Sequence, residues 1–214
     1  MRLIPLLPLL SLLSLLAAPL AAAGDLKLPP PKTSGGKPVL NAIADRASAP
    51  GNNFPSGEIS LDELSVVLWA GSGLNRPTRW TVPFGMGVEP YVRIYVAGQD
   101  GVHLYSWADH SLKRVLAEDI RARINRQPFS RVVPYILIFV SDRTSLVKNG
   151  RAREVWSKWT HAAAGAMTQQ IYLAADSIGI GARYVESMDV DLLRKSLAIP
   201  ADEEPICVMP IGKR

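Results

Sequence analysis

The chain has 214 residues, 48% of them hydrophobic and 20% charged, with 24 basic against 19 acidic side chains and a formal net charge of +5. That suits one domain with a sizeable core, and so mild a positive excess does not call for nucleic acid as a partner. Cys207 is the only cysteine, which excludes a disulfide within the chain, and its place in PICVMPI marks a core residue rather than a reactive thiol.

Residues 1–23, MRLIPLLPLLSLLSLLAAPLAAA, put Arg2 ahead of a long apolar run that closes on Ala21-Ala22-Ala23. This is the pattern of a secretory signal peptide cleaved before Gly24, and it predicts a periplasmic or secreted protein. The run is long enough to span a bilayer, but Pro5, Pro8, Pro19 and the small-residue end favour cleavage, so no stable membrane anchor is expected.

Residues 24–38, GDLKLPPPKTSGGKP, read as a flexible tether with little packing. The folded domain is expected over 39–214 and opens with VLNAIA, which has apolar residues at short helical spacing. SLDELSVVLWAGSGL, 60–74, predicts a helix. Ser60 and Glu63 make a capping box, Leu61, Leu64, Val67 and Leu68 make the apolar stripe, and Gly71 and Gly73 end it. TVPFGMGVEP, 81–90, is a loop stiffened by prolines and nearly bare of polar side chains. YVRIYVAG, 91–98, and GVHLYSW, 101–107, predict a hairpin across Gln99-Asp100.

The spacing of Leu112, Val115, Leu116, Ile120 and Ile124 predicts a surface helix over 112–126, whose arginines form a solvated basic face. VVPYILIFV, 132–140, predicts a strand buried on both faces. Residues 152–178 predict a long buried helix, with small residues at 162–166 that allow close approach of another helix. ARYVES, 182–187, and PICVMPI, 205–211, predict the last strands, separated by a helix over 189–199 with Asp189 as its N-cap. Together these elements predict an α+β fold, an antiparallel or mixed sheet with a buried helix layer.

No self-sufficient catalytic set is visible. G-x-S-x-G is absent, no cysteine or histidine spacing suits a metal, and His103, His110 and His161 stand apart with structural or exposed roles. Either a borrowed cofactor performs the chemistry or the protein performs none.

Four stretches in order then carry a likeness. LDELSVVLWAGSGLNRPTRWTVPFGMGVEPYVRIYV, GVHLYSWADHSL, AGAMTQQIYLAADSIGIG and PICVMPIGKR resemble the flavin-dependent nitroreductases, and among them the short branch of thiazole- and oxazole-forming oxidoreductases. The likeness runs from about residue 39 to the end of the chain. It implies a nitroreductase-like fold and a homodimer holding FMN between subunits. It further implies NAD(P)H or another electron donor, and a nitro, quinone or similar small-molecule acceptor, with the flavin rather than a side chain carrying the hydride.

By the same resemblance, Arg46 and Ser48 in DRAS match an R-x-S element that grips the FMN phosphate, through forked charge-assisted hydrogen bonds and a neutral donor. Lys213 and Arg214 fall where basic residues reach that phosphate. Glu186 and Ser187 fall against the flavin ring, and Pro83, Phe84 and Gly85 form the loop at its edge. The chain departs from the pattern at several places. Ala49-Pro50-Gly51 follows R-x-S without a further basic residue, Phe84 replaces a serine, Gly87 an asparagine, Ala163 an aspartate and Gln170 an asparagine. Those losses keep open a second expectation, a nitroreductase-like binding or assembly protein without redox activity.

Overall fold

The computed structural model of the chain describes residues 25–84, 89–148, 150 and 152–214. The expected signal peptide at 1–23 and the loop positions Gly85 and Gly87 lie outside them. In chain order the elements are β1 (Leu26–Lys27), α1 (Val39–Asp45), α2 (Leu61–Ser72), a small ribbon of β2 (Leu74–Arg76) and β3 (Arg79–Trp80), then β4 (Val92–Gly98), β5 (Gly101–Ser106) and β6 (Ser111–Leu116). There follow α3 (Arg121–Ile124), β7 (Tyr135–Ser141), α4 (Arg143–Lys148), α5 (Trp156–Ser177), β8 (Ile180–Ala182), α6 (Val190–Ser196) and β9 (Pro205–Lys213).

Seven strands form one sheet in the order β1-β6-β5-β4-β7-β9-β8. Every pairing among the described residues is antiparallel, so of the two expected sheets it is the antiparallel one that forms. The apolar run of β7 is central because both its faces are covered. Leu137 and Phe139 point into one layer with Leu64 and Leu68 of α2 and Met167 and Ile171 of α5. Ile136, Ile138 and Val140 point into the other, with Ile120, Ile124 and Leu193. Each such side chain removed from water contributes about 2 kcal/mol.

α2 starts as its sequence predicts. The Ser60 hydroxyl accepts from the Glu63 N–H, and the Glu63 carboxylate accepts from the Ser60 N–H at 3.0 Å. Only Gly73 ends the helix. Gly71 lies inside it and serves packing, since a Cβ there would meet Ile171 Cδ1 at 2.9 Å and Ile94 Cδ1 at 3.0 Å.

Four expectations are corrected. The predicted surface helix over 112–126 is instead β6 followed by the single turn of α3. Its backbone groups pair with β5 on one side and β1 on the other, and that pairing overrides a helical spacing of apolar residues. The chain enters β6 through His110 at φ 50°, a backbone conformation costly for most residues. The His110 ring is held there by the Ser65 hydroxyl at 2.7 Å and the Tyr105 hydroxyl at 2.9 Å.

The tether is the second correction, because residues 25–38 are anchored to the fold at both ends as a strap. β1 adds to the sheet edge, Leu28 is 3% exposed, and Ser65 Oγ donates to the Pro29 carbonyl at 2.7 Å. At the far end Lys37 N–H donates to Ser177 Oγ at 2.7 Å.

Third, α5 is not buried all round. Thr160, Met167 and Ile171 are buried, whereas Ala162, Gly165, Gln169 and Gln170 are exposed in the single chain. Fourth, the strand expected over 182–187 lies earlier, at β8, and residues 183–187 keep only an isolated bridge from Val185 to Val208. Gly179, at φ 76°, turns the chain from α5 straight into β8. Beyond β8 the Tyr184 N–H leaves the ladder and donates to the Tyr172 hydroxyl at 2.6 Å.

Candidate functional site

The R-x-S element leaves the end of α1, where the Arg46 N–H caps the helix on the Ala42 carbonyl. Two bonds then clip the loop to the sheet. Ala49 N–H donates to the Ala182 carbonyl at 2.8 Å, and the Arg183 guanidinium donates to the Ala49 carbonyl at 2.9 Å. The loop is thereby laid across α5. The Arg46 guanidinium sits 5.1 Å from the centre of the Tyr172 ring, a favourable cation–π placement. Ser48 Oγ lies 2.9 Å from the Tyr172 hydroxyl. Arg46 is half-buried and Ser48 exposed. Among the described residues Arg46 has the ring contact but no hydrogen bond or ion pair for its side chain.

One helical turn further along α5, on the same face, stands Asp176, a carboxylate only 5% exposed. It accepts from Lys37 Nζ at 2.7 Å and from the Arg214 guanidinium at 2.8 Å. Burial works to raise its pKa, and the two cations outweigh that and hold it below the ordinary carboxylate range. Lys213 is engaged in parallel, pairing with Glu63 and donating to the Ile178 carbonyl at 3.0 Å. The structure therefore brings Arg46, Ser48 and Arg214 onto one stretch of α5, and adds Lys37. It also shows Lys213 and Arg214 already bound to carboxylates of their own chain. Lys37 also pairs with Asp45 at 2.9 Å, eight residues on, but its link to the site runs through Asp176, 139 residues away.

Glu186 and Ser187 are exposed beyond the last bridge. The Tyr184 hydroxyl donates to Glu186 Oε1 at 3.0 Å. Ser187 lines an open cleft of about 610 Å³ together with Asn125, Arg126, Met188 and Asp189. Cys207 lies beneath Tyr184 and is fully buried, which pushes its thiol up to about 12 and fits the core role read from its neighbours.

The loop before β4 behaves differently from its expected role. Pro83 is exposed, but the Phe84 ring is 3% exposed and turned into the core. It makes edge contacts with Trp80 at 6.4 Å and Tyr91 at 5.5 Å, and Trp80 in turn meets Trp107. The Phe84 side chain is therefore turned away from solvent, and Pro83 is what the described end of the loop exposes. The loop is pinned by Thr81, whose N–H donates to the Gly73 carbonyl and whose own carbonyl accepts from Gln170 Nε2 at 3.2 Å.

Other possibilities find no support in the geometry. His110 is committed to Ser65 and Tyr105, and His161 is exposed. Among the described residues no group of three His, Cys, Asp or Glu side chains could hold a metal ion, and no helix is long and apolar enough to cross a membrane.

The candidate site is therefore an arginine–serine loop laid on the long helix of an antiparallel sheet covered by helices on both faces. The chain belongs to the nitroreductase family, whose model matches residues 45–213. It is 29% identical over 173 residues to "Putative nitroreductase MJ1384" of Methanocaldococcus jannaschii, covering 75% of this chain and 84% of that one. A crystal structure of a "putative nitroreductase" from Ralstonia eutropha superposes with a TM-score of 0.80 at 30% identity, over 88% of this chain and 89% of that chain. A chain of the E. coli microcin synthetase McbBCD complex shares the fold, with a TM-score of 0.65 at 16% identity over 92% of this chain and 83% of its own. Membership of this family points to oxidoreduction through a flavin.

Proposed function

We propose that this chain is an exported FMN-dependent oxidoreductase that works as a homodimer. It takes electrons from NAD(P)H or another donor and passes them to a nitro, quinone or similar small-molecule acceptor. The observation that carries the reading is Arg46, a half-buried cation with a ring beneath it and no anion paired with it among the described residues, beside the exposed Ser48 hydroxyl. That donor set fits a phosphate ester.

In this reading Arg46 and Ser48 hold the FMN phosphate, while Lys37 and Arg214, one turn away, are paired with Asp176, and Lys37 also with Asp45. Lys213 reaches the same group only by leaving Glu63. Glu186, Ser187 and the backbone at Pro83 and Phe84 bound the ring and set what reaches it. Bound FMN would supply the hydride chemistry that no side chain here can perform. The exposed Ala162 and Gly165 of α5 and the exposed Val39, Leu40 and Ile43 of α1 suit contact with a second copy.

The absorbance of the protein purified from its cells tests the reading. A yellow protein is expected. One that is colourless and takes up no added FMN sinks the reading and favours a binding or assembly role, to which Phe84 in the core and the paired Lys213 and Arg214 already lend support. Arg46→Ala is expected to weaken FMN binding by about 10- to 100-fold, as loss of a charge-assisted contact should. N-terminal sequencing of the exported protein tests cleavage before Gly24.

A further inference from the structure

The Tyr172 hydroxyl has two neighbours in the site. It accepts from the Tyr184 N–H at 2.6 Å, and it lies 2.9 Å from Ser48 Oγ. A phenol carries one proton and must place it. The residue is only 7% exposed, and among the described residues no acceptor for that proton other than Ser48 Oγ is within reach. If Ser48 donated instead, the buried Tyr172 O–H would be left without an acceptor, at a cost of about 1–3 kcal/mol. That balance favours donation from Tyr172 to Ser48. Ser48 is left with its own proton free, on the exposed side of the loop.

The same ring carries the Arg46 guanidinium on its face. The Tyr184 whose N–H ends on Tyr172 sends its own hydroxyl to Glu186 at 3.0 Å. One side chain of α5 thus sets the direction of the Ser48 hydroxyl, seats the Arg46 cation, and fixes the backbone of the segment that bears Glu186.

We infer that Tyr172 is the positioning residue of the phosphate grip: it forces Ser48 to act as a donor toward a phosphate ester and holds Arg46 beside it. The inference rests on the reading of Arg46 and Ser48 as the FMN phosphate site, and it adds which residue gives that site its anion preference. Tyr172 touches the phosphate only through Ser48 and Arg46. Its hydroxyl should therefore matter for FMN and not for riboflavin, which has the same ring and no phosphate.

The test compares binding of FMN and riboflavin, by quenching of flavin fluorescence, to the full-length dimer carrying Tyr172→Phe, Ser48→Ala or both. Tyr172→Phe keeps the ring under Arg46 and removes only the proton. It is expected to lower FMN affinity about tenfold, the effect of one hydrogen bond to a charged group, with riboflavin affinity unchanged. Ser48→Ala, at an exposed position that tolerates the change, is expected to do the same. The double variant should lose no more than Ser48→Ala alone, since the two residues act in series.

A Tyr172→Phe protein that loses FMN and riboflavin equally would show a structural role through Tyr184, and would overturn the inference. So would single-variant losses that add in the double variant. A wild-type chain that prefers FMN over riboflavin while both variants keep that preference would overturn the inference and leave the flavin reading standing. A wild-type chain that binds neither flavin would defeat both.

Discussion

At the Phe84 end of the candidate site the side chains satisfy one another, whereas at the Arg46 end a cation is left over. Phe84, Trp80, Tyr91 and Trp107 meet edge to face, and Thr81 spends its backbone groups on Gly73 and Gln170. A ligand arriving there finds shape. At the other end Asp176 already answers Lys37 and Arg214, and Glu63 answers Lys213, yet no carboxylate among the described residues answers Arg46. A ligand arriving there finds charge. The chain has put its packing energy into the loop end and has kept its electrostatic specificity for the α5 end.

Breaking the closed end should give the largest effect. Phe84→Ala removes a ring that is 3% exposed and is expected to cost about 3–5 kcal/mol, seen as a lower midpoint in chemical unfolding of the flavin-free protein. If Phe84 instead served a flavin, the flavin-free protein would scarcely notice its loss and only binding would suffer. Phe84→Ser, the residue that the resemblance to the family implies there, should also destabilise.

The second test sharpens the open end. Asp176→Asn removes the carboxylate shared by Lys37 and Arg214, whose side chains are 29% and 43% exposed, so solvent softens the loss to about 2 kcal/mol of stability. Binding should move the other way. The variant takes one negative charge from the α5 face a turn away from Arg46, so FMN affinity at low salt is expected to rise, and added salt should erase the gain. An affinity that falls with Asp176→Asn would mean that Lys37 and Arg214 act only as ordered by the carboxylate.

Much of this was legible in the chain because the signals are local. Ser60 and Glu63 announce α2, the glycines around Gln99-Asp100 announce the β4–β5 hairpin, and the apolar run at 132–140 announces a strand buried on both faces, which forms from Tyr135. What misleads is decided at a distance. Leu112, Val115 and Leu116 fit a helical spacing, but β5 claims the backbone of this stretch on one side and β1 that of Ser111 and Leu112 on the other. The polar strap over 25–38 looks unpacked until Leu28 and Lys37 meet partners from other elements. The site divides the same way. Arg46 and Ser48 stand in one short motif and can be matched, whereas Tyr172 gains its role only when residue 184 turns out of the sheet toward it. Phe84 could be placed in the right loop from its neighbours in sequence, but which way its ring turns depends on Trp80 and Tyr91.

The smallest expected effect probes whether the closed side is closed to protons as well. Ser65 Oγ gives its proton to the Pro29 carbonyl, so it accepts from His110 Nε2, and His110 Nδ1 is then free to accept from the Tyr105 hydroxyl. That set is complete only with a neutral imidazole. Burial, with a smaller push from nearby Lys27, lowers the His110 pKa below its ordinary 6.5. As pH falls, the unfolded chain takes up the proton before the folded one does. The contribution of His110 to stability is therefore whole above about 6.5 and is lost as pH drops through the folded value. The melting temperature should decline between pH 7 and 5 by less than the drop from either core substitution. His110→Asn, which tolerates the left-handed backbone at φ 50°, should flatten that part of the profile. An unchanged slope in the variant would assign the decline to carboxylates and leave the strap at Pro29 independent of pH.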